Sequence, residues 1–239
     1  MKKKFVGFYD YTVILTLLSL VLAIWGMTRA MQDHFRLAVY LLAMCGLLDT
    51  FDGKVARTKK NRTDDEKLYG IQLDSLVDMV SFGVFPAMLC FLMGMRTTLD
   101  VIILVVYAIC GVIRLSYFNV LETNRQMHPN GEEKTYHGLP ITSIAVILPL
   151  TFLASFAIDV WNFVSVLRVI MLLTAFLFVF DFKVKKLTNW QLFTLLILAL
   201  LAAAAILFFS RYKLPKDVAP EEPWIELEGI EDLIEEPLY

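Results

Sequence analysis

Long apolar stretches alternate with short polar segments along the first 210 residues of the chain. Seven of them are candidate membrane helices, at residues 11–28, 37–52, 71–95, 99–121, 138–158, 161–182 and 189–210. A membrane-spanning helix needs about 20 predominantly apolar residues, and these stretches are close to that length. The pattern therefore predicts an all-α, polytopic membrane helical bundle.

The composition agrees with a membrane protein. Hydrophobic residues make up 58% of the 239 residues and charged residues 19%, whereas soluble domains average about 45–50% and about 25%. This excess of apolar residues excludes a typical soluble enzyme and a disordered chain. The formal net charge of -2 argues against a nucleic-acid partner. We expect the lipid bilayer as the surroundings and no nucleic acid.

The distribution of Lys and Arg predicts the orientation. If the N-terminus is cytoplasmic, fourteen of these residues lie in cytoplasmic segments and three in the opposite loops between stretches. Cytoplasmic loops of membrane proteins carry such an excess. The loop at 53–70 is therefore predicted to be cytoplasmic.

The C-terminal segment differs from the rest of the chain. Residues 217–239 contain nine acidic residues and no Lys or Arg, and prolines interrupt the segment. Such a segment is typical of a solvated terminus. We predict a membrane-embedded domain at 1–213 and an acidic, Pro-containing tail at 214–239.

Four aspartates lie near the ends of the second and third stretches. Asp49 and Asp52 are three residues apart, and Asp74 and Asp78 are four apart, so each pair shares one helix face. The predicted topology puts both pairs at the cytoplasmic ends of adjacent antiparallel helices. Four converging carboxylates repel one another unless cations bind between them. Oxygen-only ligation favours one or two magnesium, manganese or calcium ions.

Small and basic residues lie between the two aspartate pairs. Gly53, Ala56 and Gly70 permit a ligand to approach the backbone closely. Arg57 offers a bidentate contact to phosphate. Carboxylates for metal, metal for phosphate, and small residues beside a ligand together indicate phosphoryl transfer at a membrane surface.

These residues form a pattern, D-x2-D-G-x2-A-R, then a loop, then G-x3-D-x3-D, that resembles the CDP-alcohol phosphotransferase (phosphatidyltransferase) family. Its eight fixed positions are Asp49, Asp52, Gly53, Ala56, Arg57, Gly70, Asp74 and Asp78. The loop between Arg57 and Gly70 is longer here than in the common form of the family. The resemblance is therefore strong in the two helical halves of the motif and weaker in the loop.

Other segments resemble the phosphatidylserine synthase branch of that family. The run from Asp74 to Ala87, containing Ser81-Phe82-Gly83-Val84, is similar to the run LDSLAD-x-x-SFGVAPA of that branch. The segments from Arg114 to Val120 and from Gly138 to Ile141 are similar to two others, with Tyr117 where the branch has a second arginine. Thr16 loosely matches a family threonine near the donor pocket.

The resemblance implies a fold and surroundings. The family has six core transmembrane helices, preceded by a short interfacial helix, and here one or two extra C-terminal helices are expected. A homodimer is implied. We expect an integral protein of the bacterial plasma membrane whose active site faces the cytoplasm.

The resemblance also implies residue roles. Asp49, Asp52, Asp74 and Asp78 would hold two Mg²⁺ or Mn²⁺ ions, with Ca²⁺ as another occupant, and Asp78 would also be the catalytic base. The donor CDP-diacylglycerol would bind along Asp52, Gly53, Ala56, Arg57 and Gly70 through its CDP group. The acceptor L-serine would bind at Arg114 and Asn119, giving phosphatidylserine and CMP.

Several alternatives stay open at this point. Arg114 could instead pair with a site aspartate, and for Arg168 a snorkelling side chain or a structural ion pair is expected. The acceptor could be glycerol 3-phosphate, inositol phosphate or choline. A cation transporter is the alternative from another class, because carboxylates within membranes also line ion pathways. A catalytically silent scaffold is the third alternative.

Overall fold

The computed structural model describes residues 7–8, 11–56, 58–59, 62–127, 136–155, 159–184 and 201. Seven α-helices lie in the described residues: α1 Ile14–Ala30, α2 Phe35–Ala56, α3 Asp64–Asp78, α4 Phe85–Leu92, α5 Thr98–Met127, α6 Ile144–Ala154 and α7 Val160–Val179. Short 3-10 turns, Tyr11–Val13 and Ile141–Ser143, precede α1 and α6, and a π-helical turn, Met79–Val84, joins α3 to α4. Strands β1 Tyr136–His137 and β2 Lys183–Val184 form one short antiparallel pair.

The predicted all-α membrane bundle is confirmed. Within the described residues, three helical segments are long and apolar enough to cross a membrane: Asp64–Leu92, Thr98–Arg125 and Trp161–Val179. Two shorter apolar helices are Ile14–Ala30 and Ile141–Leu153. The predicted count of six core spans is not confirmed. The tail at 214–239, and the stretch 189–210 apart from residue 201, lie outside the described residues.

The predicted stretch 138–158 begins with backbone that is not α-helical. Gly138 has a positive φ of 70°, which glycine adopts without steric cost, and Pro140 follows. The N–H of Gly138 donates to the carbonyl of Phe182, and that of Leu139 to the carbonyl of Leu177. This segment is therefore anchored to the end of α7, and α6 begins at Ile144.

Small residues line the buried face of α1. They recur every three or four residues and are Thr16, Ser19, Ala23, Gly26 and Ala30. Small side chains let membrane helices approach closely. At Gly26 the need is strict, because a Cβ there would lie 2.4 Å from Cζ of Phe85. This face brings α1 against both α2 and α4.

Large apolar side chains cover the outside of the bundle as well as its interior. Tyr107, Phe82, Phe85 and Phe152 are among the largest buried side chains. Exposed ones include Ile14, Val21 and Ile24 on α1, Ile102 and Ile109 on α5, and Trp161 and Val169 on α7. A contiguous apolar exterior is unfavourable in water and suits contact with lipid.

A capping box fixes the start of α3. The Thr63 hydroxyl accepts from the backbone N–H of Glu66 at 3.2 Å, and the Glu66 carboxylate accepts from the N–H of Thr63 at 3.0 Å. This reciprocal pair satisfies two donors that the first helical turn leaves unpaired. It fixes where α3 begins, and so which face carries the later aspartates.

The π-helical turn directly after Asp78 is followed by a proline that leaves one carbonyl without its α-helical donor. Pro86 has no N–H, so the carbonyl of Phe82 lacks the donor that an α-helix would supply four residues later. The hydroxyl of buried Tyr107 on α5 donates to this carbonyl at 2.5 Å. The N–H of Phe85 bonds to the carbonyl of Val80, five residues back. Helix α5 therefore holds the wide turn beside Asp78.

Replacing Tyr107 with phenylalanine is expected to destabilise the fold by about 1–2 kcal/mol, because it removes one buried hydrogen bond and keeps the ring. The unfolding midpoint in detergent should fall by roughly 2–8 °C. Tyr117 on the same helix is half-exposed, and Tyr117→Phe is the matched control. Equal unfolding midpoints for Tyr107→Phe and the wild type would show that the hydrogen bond of Tyr107 does not stabilise the fold.

An ion pair joins α5 to α7. Asp100 is fully buried, and its carboxylate accepts from Nε of Arg168 at 2.5 Å and from Nη2 at 3.1 Å. The backbone N–H and hydroxyl of Thr97 also donate to it, at 3.0 and 2.8 Å. Of the two expectations for Arg168, the structural ion pair is the one observed.

Candidate active site

Helices α2 and α3 bring the predicted carboxylates together. One carboxylate oxygen each from Asp49, Asp74 and Asp78 lies within 4.8 Å of the other two. Asp49 also lies within hydrogen-bonding reach of Asp78, and Asp52 within reach of Asp74. Asp52 and Asp78 are buried. The four predicted ligands thus meet as two facing pairs, three of them close enough to share one cation.

Helix α1 orients Asp52, the aspartate outside the group of three. The hydroxyl of Thr16 donates to Oδ2 of Asp52 at 3.1 Å, and both side chains are buried. Thr16 belongs to the small-residue face of α1, so the packing that brings α1 onto α2 also places this hydroxyl. The family resemblance had indicated Thr16 only loosely, and its partner was not predicted.

The chemistry of these donors fits a divalent cation. All are carboxylate oxygens, which suit hard ions such as Mg²⁺, Mn²⁺ and Ca²⁺ and do not favour Zn²⁺. Glu122 on α5 adds negative charge that acts on Asp74, and it pairs with Arg125 at 2.6 Å. Like charges at this density in a low-dielectric site are stabilised by bound cations.

The predicted small residues lie beside the carboxylates and towards the α2–α3 loop. Gly53 directly follows Asp52, and the facing of Asp49 with Asp78 and of Asp52 with Asp74, continued by one turn, places Ala56 at the level of Gly70. A Cβ at Gly53 would meet no atom within 4 Å, so this side of α2 is open. Arg57 and the side chain of Ala56 lie outside the described residues. The proposed CDP contacts therefore stay predictions.

The two predicted acceptor residues lie in different surroundings. The hydroxyl of Ser75, next to Asp74, donates to Oδ1 of Asn119 at 2.5 Å. Arg114 is buried and lies beside Gly138, where a Cβ would be 3.5 Å from its Nη1. The structure therefore joins Asn119 to the aspartate helix and places Arg114 against the segment that precedes α6.

A groove next to Asn119 was not predicted. It has a volume of about 200 Å³ and is lined by Gln72, Asn119, Val120, Thr123 and Asn124. Four of these five residues are polar, and all lie at the cytoplasmic end that the charge distribution predicts. Their spacing along α3 and α5 carries no recognisable motif, so only the packing of the two helices reveals the groove.

Comparisons with known proteins identify a family and several relatives of the chain. The family described as CDP-alcohol phosphatidyltransferase matches residues 11–177. Over 114 residues the chain is 43% identical to the CDP-diacylglycerol–serine O-phosphatidyltransferase of Saccharomyces cerevisiae, covering 47% of this chain and 39% of the yeast protein.

Two further relatives match over longer segments. The chain is 29% identical over 202 residues to the CDP-diacylglycerol–serine O-phosphatidyltransferase of Mycobacterium bovis, covering 81% of this chain and 69% of that protein. It is 31% identical over 155 residues to the archaetidylserine synthase of Methanothermobacter thermautotrophicus, covering 64% of this chain and 62% of that protein. The chain thus spans between 39% and 69% of the length of these three relatives.

Proposed function

The chain belongs to the CDP-alcohol phosphatidyltransferase family, and from this premise we propose that it transfers the phosphatidyl group of CDP-diacylglycerol to the hydroxyl of L-serine. The products are phosphatidylserine and CMP. The observation that carries the proposal is the convergence of Asp49, Asp74 and Asp78 within 4.8 Å of one another. The names of the yeast and mycobacterial relatives support serine as the acceptor.

The aspartates bind the metal and one of them moves the proton. Asp49, Asp52, Asp74 and Asp78 would hold two Mg²⁺ or Mn²⁺ ions. When bound, such ions neutralise the phosphate oxygens of the donor and of the leaving CMP. Asp78 accepts the proton of the serine hydroxyl as the serine oxygen forms its bond to the phosphorus of the phosphatidyl group. The bond from that phosphorus to the oxygen of CMP breaks, and CMP leaves with the electron pair.

The remaining residues position the two substrates. Gly53, Ala56, Arg57 and Gly70 line the CDP pocket, and Asp52 borders it. The open space at Gly53 supports a ligand there. Arg114 binds the carboxylate of serine, and Asn119, bonded to Ser75 beside Asp74, borders the acceptor.

Replacing Arg114 with alanine is expected to raise the KM for serine at least tenfold and the KM for CDP-diacylglycerol much less. A charge-assisted bond to a carboxylate contributes about 1.5–3 kcal/mol, and only serine brings that group to Arg114. CMP release measured against each substrate in turn checks this. Arg29→Ala, which removes contacts to Gln32 and Trp25 at the far end of α1, is the control. Equal changes in both KM values would assign Arg114 to the scaffold.

The protein is an integral membrane protein, and we propose that it lies in a bacterial plasma membrane as a homodimer. The fourteen Lys and Arg residues of the predicted cytoplasmic segments support an active site that faces the cytoplasm. Matches that cover 81% of the chain are to mycobacterial proteins.

The function is tested by CMP release from purified protein in detergent with CDP-diacylglycerol and Mn²⁺ or Mg²⁺. Serine, glycerol 3-phosphate, inositol, inositol phosphate and choline are offered separately. Serine-dependent release is expected. Release with a different acceptor would identify that molecule as the acceptor instead of serine, and the proposed metal site would stand. If no acceptor supports release from protein that binds Mn²⁺, the transporter and scaffold alternatives gain support.

A further inference from the structure

Described residues between α2 and α3, and at the start of α3, make defined contacts on both sides of Arg62 along the chain. The hydroxyls of Tyr11 and Thr58 are hydrogen-bonded at 3.0 Å, and Lys59 forms an ion pair with Glu66 at 3.1 Å. Thr63 is fixed by the capping box that begins α3. Arg62 directly precedes Thr63, so the capping box fixes the chain immediately after it.

Arg62 places its guanidinium over Gly70. A Cβ at Gly70 would lie 2.8 Å from Nη2 of Arg62, so the flexible end of the Arg62 side chain would have to move away. The same Nη2 donates to the backbone carbonyl of Glu66 at 3.3 Å. Glycine at position 70 therefore makes room for the guanidinium, in addition to any room it makes for a ligand.

This position is adjacent to the carboxylate cluster. Gly70, Asp74 and Asp78 are spaced by four residues on α3 and share one face. Gly70 lies one helical turn, about 5.4 Å, from Asp74 along the axis. The guanidinium thus lies at the level of the small residues, where the proposed function puts the CDP group.

We propose that Arg62 is a donor-binding residue whose guanidinium contacts the phosphate oxygens of the CDP group over Gly70. The inference rests on the proposed function and adds a residue from the segment in which this chain differs most from the family pattern. A diphosphate that binds beside the four aspartates and Glu122 requires positive charge in addition to that of the metal ions. The planar guanidinium supplies it with paired N–H donors that match phosphate geometry.

The test measures the binding of CDP to purified protein by calorimetry, in detergent and with Mn²⁺ present. Arg62→Ala is expected to weaken CDP binding about tenfold or more, because a charge-assisted contact is lost. Arg62→Lys should recover part of the affinity, since it keeps the charge and loses the paired donors. Lys67→Ala is the control, because Lys67 forms an exposed ion pair with Asp64 on the same helix. The KM for serine should not change in any of these variants.

A double-mutant cycle tests the link to Gly70. Gly70→Ala should displace the guanidinium and weaken CDP binding. In the Arg62→Ala background, Gly70→Ala should weaken CDP binding much less, because no guanidinium is left to displace. Two independent losses that multiply in the double variant would overturn the link between Gly70 and the guanidinium, and the binding of CDP by Arg62→Ala and Arg62→Lys decides the role of Arg62 itself. Unfolding midpoints for each variant separate a binding defect from a folding defect, and Arg62→Lys provides the test if Arg62→Ala does not fold.

The possible failures are distinguishable. If Arg62→Ala and Arg62→Lys bind CDP as tightly as the wild type, the inference is wrong and the proposed function is unaffected. If the wild type binds CDP but releases no CMP with any acceptor, the proposed function is wrong, and the binding cycle still decides the role of Arg62. A wild type that does not bind CDP would overturn both.

Discussion

Asp78→Asn is expected to reduce CMP release by at least about 10²–10⁴-fold, the contribution typical of a general base, while CDP still binds when the Mn²⁺ concentration is raised to compensate for the lost metal-binding carboxylate. Asparagine has nearly the same shape as aspartate, so the packing around this buried side chain is kept. Its amide cannot accept the proton of the serine hydroxyl. The measurement is single-turnover CMP release at saturating serine, with CDP affinity measured on the same preparation.

Asp64→Asn is the matched control for this experiment. Asp64 lies on the same helix, is exposed and pairs with Lys67, and surface ion pairs contribute little. Its activity should equal that of the wild type. If Asp78→Asn retains more than about a tenth of the wild-type rate, another group must take the proton.

Removal of divalent metal is expected to abolish CMP release, and Mg²⁺ or Mn²⁺ should restore it. The same ions should stabilise the fold by about 2.7 kcal/mol at one hundred times their dissociation constant. The reason is that bound cations replace repulsion among Asp49, Asp74 and Asp78 with attraction. Chelator-treated protein is titrated with each ion. CMP release and the unfolding midpoint are measured at each ion concentration, which checks both the recovery of activity and the stabilisation of the fold.

Asp49→Asn distinguishes this site from adventitious metal binding. It removes one carboxylate from the cluster and keeps the shape of the side chain, so the rise of the unfolding midpoint with Mn²⁺ should be largely lost. Asp64→Asn should show the full rise. A full rise in Asp49→Asn would mean that the stabilising ion binds elsewhere.

The helices and the aspartate cluster could be predicted because their determinants are local. Apolar runs of membrane length predicted the bundle, and spacings of three and four residues predicted which aspartates share a face. The start of α3 could not be found from hydropathy, since its first turns are polar and depend on the Thr63–Glu66 capping box. The start of α6 was missed because Gly138 and Pro140 interrupt an otherwise apolar run.

The partners of the polar residues could not be predicted, because they come from distant parts of the chain. Thr16 and Asp52 are 36 residues apart, and Ser75 and Asn119 are 44 apart. Nothing in their spacing specifies such pairs, and only the packing of α1 on α2 and of α3 on α5 brings them together. Arg62 was hidden for a different reason, since the family pattern does not fix the length of its loop.

The ion pair between α5 and α7 has a consequence for biosynthesis. Asp100 and Arg168 are 68 residues apart, so at about 5–20 residues per second Asp100 is made roughly 3–14 s before its partner. Asp100 lies in the first turn of α5, so its carboxylate without Arg168 costs less than the about 2.5–3.5 kcal/mol of an aspartate at a helix centre. During this interval the N–H and hydroxyl of Thr97, three residues away, can bond the carboxylate. The nascent chain therefore carries its own temporary partner for Asp100 until Arg168 on α7 has been made.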